Sequence, residues 1–286
     1  MTTTSGLRYD PNATYDVESL DVEYRREAGE AWLARVFRPQ GDGPFPTLLD
    51  VHGGAWANGD RLMNETTDIA LAKSGLVVAA IDFRTSQAAP HPAAQEDISF
   101  ATRWLKLHAS DFGGTAESLG GVGWSSGGHQ VMLAAMKHRE FATIPLVDAP
   151  EPGRPVDGSL AYVIMGWPVI DPLARFNLAK SRKNTALMAN HLAYFGTELG
   201  MVSASPPHML RRGEAVETPP ALLVQGAADE SLTRMMAEDF VEAYSLGGGV
   251  IELAKYPGEP HGFLREPGPM SDRALAVIQS FIARQL

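Results

Sequence analysis

The chain has 286 residues, 44% hydrophobic and 20% charged, with 24 basic against 34 acidic side chains for a net charge of −10. That length can bury a large core, and the acidic balance argues against a nucleic-acid surface, which needs clustered Lys and Arg. With no cysteine there are no disulfides, thiolate metal sites, iron–sulfur clusters or cysteine nucleophiles.

In chain order, residues 1–16 (MTTTSGLRYDPNATYD) read as a loose polar arm. It lacks the basic region and apolar run of a signal peptide, and no apolar run nears the length of a membrane span. A cytoplasmic protein is the expectation. VESLDVEYRREAGEAWLARVFRP then gives two alternating runs around a polar turn, an antiparallel hairpin. After the break RPQGDGPFP the pattern becomes short apolar runs: TLLDVHGG, LVVAAIDFR, LGGVGWS, LAYVIMGW, ALLVQGA and VIELAKYPG. Such runs suit strands buried on both faces of a parallel sheet.

Helical spacing fills the intervals: Ile98, Ala101 and Leu105; Leu232, Met236 and Phe240; and Ala274, Val277, Ile278, Phe281 and Ile282. Gly75, Gly113 and Gly247 stand where helix ends call for a left-handed residue. Alternating strand and helix predicts an α/β fold, a mostly parallel sheet with helices on both faces. The interval 169–220 is too long for one crossover and reads as an inserted helical cap. It divides the core into 1–168 and 221–286.

GVGWSSGGHQ, residues 121–130, places Ser125 between Gly123 and Gly127. A bare G-x-S-x-G is weak, but here it joins a predicted strand to a predicted helix, the context of a nucleophile elbow. Serine is a poor nucleophile unless a base, oriented by a third group, takes its proton. Of eight histidines, His261 follows the last apolar strand in YPGEPHGFL, and Asp229 follows a strand in LLVQGAADES. Glu230 is the alternative acid. The order Ser125, Asp229, His261 matches nucleophile, acid and base in α/β-hydrolases. VHGGAWANG follows the first parallel strand, where the amides of Gly54 and Ala55, with that of Ser126, can form an oxyanion hole. Trp56, Trp124 and Trp167, near strand ends, are expected to line a bounded aromatic substrate pocket.

HGGAW (52–56), IDFR (81–84), HPAAQED (91–97), GWSSGG (123–128), QGAADES (225–231) and PHGF (260–263) occur in order. On these motifs the chain resembles the hormone-sensitive-lipase-like esterases of the α/β-hydrolase superfamily, with their kynurenine-formamidase-like relatives, over residues 30–286. The resemblance implies a Ser125–Asp229–His261 triad and oxyanion donors at Gly54, Ala55 and Ser126. Two motifs depart from it: Ala55 replaces the last glycine of HGGG, and Trp124 and Ser126 occupy the variable positions of the usual G-D-S-A-G. No Walker A, complete dinucleotide fingerprint or H-E-x-x-H zinc site is present.

The expected function is hydrolysis of small short-acyl or aromatic carboxylic esters through an acyl-enzyme. It needs no cofactor or metal and has no nucleic-acid or membrane partner. Amide, formamide or peptide hydrolysis is the alternative with the same triad. A ligand-binding member of the fold without catalysis is the remaining one, disfavoured because the base histidine is kept. A homodimer is compatible with this reading.

Overall fold

Strand pairing follows the apolar runs. The computed structural model describes residues 9–147, 149 and 155–286. Strands β1 (Val17–Glu27) and β2 (Glu30–Pro39) form the hairpin, turning at Ala28 and Gly29, both with positive φ. β3 (Phe45–Val51), β4 (Val77–Ile81), β5 (Gly114–Trp124), β6 (Val163–Gly166), β7 (Ala221–Gly226) and β8 (Ile251–Tyr256) complete an eight-stranded sheet. Its order is β1-β2-β4-β3-β5-β6-β7-β8. β2 runs antiparallel to both neighbours, and every pair from β4 to β8 is parallel. β3, β4, β6 and β7 are buried at every residue, as strands covered on both faces must be.

Helices cover the two faces separately. On one face α2 (Ala93–His108), α3 (Ser126–Met136) and α8 (Met236–Leu246) pack through Ile98, Val131, Leu133 and Phe240 onto Leu49, Val51 and Val77. On the other, α1 (Glu65–Lys73) and α9 (Pro269–Ala283) pack through Leu71, Ile278 and Phe281 onto Leu48, Val78 and Val122. Of helix α1 the sequence reading marks only the terminal glycine, Gly75, because ETTDIALAK carries its apolar residues without a clear helical stripe. Gly75 and Gly113 are left-handed, but at the end of α8 Gly247 is not (φ −76) and Gly248 takes that role (φ 88).

Of the polar arm, residues 1–8 lie outside the described residues. Residues 9–16 are docked rather than loose: the Tyr15 amide donates to Lys73 O (2.9 Å), and its ring packs edge-on against Phe45. The interval 169–220 holds four short helices, α4 (Pro172–Ser181), α5 (Thr185–Phe195), α6 (Glu198–Ser203) and α7 (Pro206–Arg211). The first three start at side-chain caps: Asp171, Asn184 and Thr197 accept from the amides of Ala174, Leu187 and Gly200.

Two carboxylates are buried beneath β5. Asp50 on β3 accepts from Trp124 Nε1 (2.5 Å) and Asn64 Nδ2 (2.9 Å). Asp68 on α1 is fully buried, and neither of its oxygens has a partner among the described residues. Burial pushes Asp50 up to about 7, against those two hydrogen bonds. Burial first, and then the charge of Asp50, pushes Asp68 well above the usual carboxylate range. A carboxyl whose pKa is raised on folding binds protons the unfolded chain has already released. Its stabilising contribution is therefore complete below the unfolded pKa and is lost as pH rises toward the folded value. Thermal denaturation should show Tm falling from pH 5 to pH 8. Asp68→Asn, which has no proton to release, should flatten that slope and reduce the loss of Tm between pH 5 and pH 8. An unchanged slope in the variant would contradict this.

Candidate active site

The turn from β5 into α3 forces Ser125 to φ 56 and ψ −120, a conformation that costs a non-glycine residue about 1–3 kcal/mol. Neighbouring hydrogen bonds hold it there. The Ser125 amide donates to Gly166 O (2.9 Å), and its carbonyl accepts from Val169 (3.0 Å) and Gly128 (3.1 Å). Gly127 is required by proximity: a Cβ there would stand 2.1 Å from Val51 O and 2.4 Å from His52 O. The start of α3 thus lies directly on the end of β3.

The loops after β7 and β8 bring two side chains to this serine. His261 Nε2 lies 2.9 Å from Ser125 Oγ, and His261 Nδ1 lies 2.8 Å from Asp229 Oδ2. These partners assign a tautomer in which Nδ1–H donates to Asp229 and Nε2 accepts from the serine hydroxyl. Gln225 Nε2 donates to the same Asp229 oxygen (3.0 Å), and the Ser231 amide donates to Oδ1 (2.7 Å). Burial opposes ionisation of Asp229. The hydrogen bond and charge of His261, with the Gln225 and Ser231 donors, outweigh it and hold the carboxyl below its usual range. The alternative acid, Glu230, is exposed.

The HGGAW loop abuts the elbow. A Cβ on Gly53 would approach Trp124 O to 2.8 Å and Ser125 Cβ to 3.2 Å. Gly54, Ala55 and Trp56 follow with φ of 108, 52 and 61. The Gly54 and Ala55 amides donate to no acceptor among the described residues, and both residues are partly exposed. The Trp56 amide donates to Ser126 Oγ (3.3 Å), fastening the loop to the first residue of α3. A cluster of available amides beside a serine–histidine–carboxylate chain can hold negative charge developing on a carbonyl oxygen.

The three tryptophans expected to line a pocket do not do so, since each is 1% exposed. Side chains alternate along β5, so Trp124 shares a face with Val122 and points away from α3, where Asp50 takes its indole N–H. Trp167 lies in the same cluster, 5.6 Å from the Phe263 ring and 6.2 Å from that of His261, and backs the imidazole. Trp56 is on the opposite face. Its ring stacks on Tyr194 (5.9 Å) and meets His191 (4.8 Å) and Phe195 (4.9 Å) of α5.

Gln225 and His129 escaped sequence reasoning, although QGAADES and GGHQ contain them. His129 accepts from Trp56 Nε1 (3.3 Å), and its Nε2 donates to Ala204 O (2.8 Å). Burial pulls it down to about 3, so it is a neutral structural link. IDFR and HPAAQED act similarly. Arg84 and Arg25 neutralise the buried Asp97, and Gln95 accepts from Tyr194 Oη (3.0 Å). Among the described residues no group of acidic or histidine side chains is placed to hold a metal ion, and no helix is long and apolar enough to cross a membrane.

Comparison with known proteins agrees with this architecture. Esterase LipQ of Mycobacterium tuberculosis is 23% identical over 264 residues, covering 88% of this chain and 59% of LipQ. Carboxylic ester hydrolase LipN of the same organism is 34% identical over 134 residues, covering 46% of this chain and 35% of LipN. The chain spans between 28% and 59% of the length of the first four such relatives. A fungal esterase from Rhizomucor miehei superposes with a TM-score of 0.74 at 20% identity, covering 95% of this chain and 84% of that one. Propionate-bound esterase 2 of Thermogutta terrifontis gives 0.71 at 21% identity, covering 93% and 94%. These likenesses show the α/β-hydrolase fold. The sequence model of the BD-FAE family matches residues 36–244, and the chain belongs to that family.

Proposed function

We propose that this protein is a serine hydrolase of small carboxylic esters. The observation that carries the reading is the unbroken chain from Asp229 Oδ2 through His261 to Ser125 Oγ, on a strained elbow beside the Gly54, Ala55 and Ser126 amides. His261 takes the hydroxyl proton as Ser125 attacks the ester carbonyl, and Asp229 orients the ring and stabilises the imidazolium. The three amides hold the oxyanion. The imidazolium returns the proton to the departing alcohol, leaving an acyl-Ser125. Water then attacks with His261 as base, and the acid leaves as the serine regains its proton. Every step uses side chains of the protein, so neither cofactor nor metal is invoked. The names of the related esterases support the same chemistry.

With p-nitrophenyl butyrate, Ser125→Ala and His261→Ala should each lower kcat by about 10³-fold or more with unchanged circular dichroism, because such residues act as a unit. Asp229→Asn should cost somewhat less, since the Gln225 and Ser231 donors remain in place. Near-wild-type turnover by a folded Ser125→Ala protein would refute the mechanism.

The preferred acyl group is proposed to be short or aromatic. Ser125 is 6% exposed, and the aromatic side chains nearby are packed against one another rather than open to solvent. The propionate held by the Thermogutta esterase lends support. Each added methylene gains up to about 0.8 kcal/mol only while there is room to bury it. A p-nitrophenyl ester series should therefore show kcat/KM peaking at about C2 to C6 and falling sharply by C10. Rates climbing steadily from C4 to C16 would indicate an open cleft. Anilides and N-formylkynurenine in the same panel separate ester from amide hydrolysis.

A further inference from the structure

Helix α4 buries a cation that makes no salt bridge among the described residues. Arg175 is 8% exposed, and its Nε and Nη1 meet no acceptor among the described residues. The acid one turn earlier, Asp171, is committed elsewhere: Oδ1 caps α4 through Ala174 N (3.0 Å), and Oδ2 lies 3.2 Å from His208 Nε2. Asp229 is near enough to act on the guanidinium electrostatically. Its oxygens, however, are taken by His261, Gln225 and Ser231.

Position gives this cation its meaning. The charge of Arg175 acts on Asp229 on one side and on the His191 imidazole on the other. His191 packs on Trp56, the residue that closes the HGGAW loop. Contacts place the helix itself: Arg182 Nη1 donates to Glu230 O, next to Asp229, and the Phe176 ring lies 5.7 Å from that of His191, so Arg175 belongs to the helix that joins the acid loop to the aromatic wall behind the HGGAW loop. Burial pulls the guanidinium down to about 10, which leaves it charged at neutral pH. An isolated buried charge is costly, and a planar fork of N–H donors matches a carboxylate in two-point geometry.

We infer that Arg175 is the recognition group for a carboxylate carried by the substrate, on either the acyl or the leaving-group side of the scissile ester. The inference rests on the hydrolase reading and adds a substrate class to it: monoesters of dicarboxylic acids, or acyl esters of hydroxy acids. The bound carboxylate supplies the acceptors that the protein does not.

Two substrate pairs, each setting a free carboxylate against its methyl ester and followed by release of the phenol, separate the alternatives. For the acyl side, 4-nitrophenyl hydrogen glutarate is compared with its methyl ester. For the leaving-group side, 4-acetoxyphenylacetic acid is compared with its methyl ester. The wild-type protein should favour the charged member of one pair by about 10-fold or more in kcat/KM, mainly through KM. Arg175→Met should abolish that preference while keeping neutral-ester turnover within about threefold, and Arg175→Lys should restore part of it. The pair that responds identifies the side that carries the charge. Indifference to charge in both wild-type pairs would overturn the subsite while leaving the hydrolase reading intact. An equal fall on charged and neutral esters in Arg175→Met would instead make Arg175 a positioning residue for Asp229. Should Arg175→Met fail to fold, the wild-type comparison alone decides. No Ser125-dependent turnover of the neutral esters would sink both readings.

Discussion

The site depends on one close approach, between the first turn of α3 and the end of β3. A single methyl at Gly127 would sit within 2.4 Å of two backbone carbonyls, Val51 O and His52 O. Because α3 comes so close, the chain must turn at Ser125 with positive φ, and the hydroxyl is lifted past the strand ends toward His261. The same contact places the HGGAW loop, which continues from those carbonyls, beside the serine. Ser125 and the available amides are thus positioned by one piece of backbone packing, independent of any flexible side chain.

The two faces of the sheet support this arrangement differently. On the α3 face, Trp56, His129 and the α5 aromatics fasten the HGGAW loop to the helices of 172–211. On the other face, Trp167 and Phe263 back the His261 ring, and Trp124 is anchored to a buried carboxylate. Both Asp229 oxygens are occupied, whereas the Gly54 and Ala55 amides and Nε and Nη1 of Arg175 meet no acceptor among the described residues. Satisfied groups fix geometry. The open amides beside Ser125 are the groups that a substrate oxygen would meet.

Much of this was legible in the sequence, for reasons that can be stated. The apolar runs of β3 to β7 are long enough to mark strands buried on both faces, and G-W-S-S-G between a strand and a helix has few alternatives. Asp229 and His261 each follow an apolar run, so they could be ranked by position alone. The tryptophans were misjudged because proximity to a strand end does not specify a face. Trp124 is adjacent to Ser125 in sequence, and alternation sends it below the sheet. Helix α1 was marked only by Gly75 at its end, because tertiary burial of Thr67 and Asp68 overrides periodicity. Arg175 gave no signal, since whether a guanidinium is buried without a partner is a property of packing that no local pattern carries.

The most direct test of the central claim is covalent labelling with a serine-directed organophosphate, followed by intact mass and peptide mapping. One adduct per chain on Ser125, formed in step with loss of esterase activity and absent in His261→Ala, is the result that a nucleophile activated by this histidine predicts. Full activity retained with Ser125 modified, or stoichiometric labelling of another residue in step with inactivation, would contradict it.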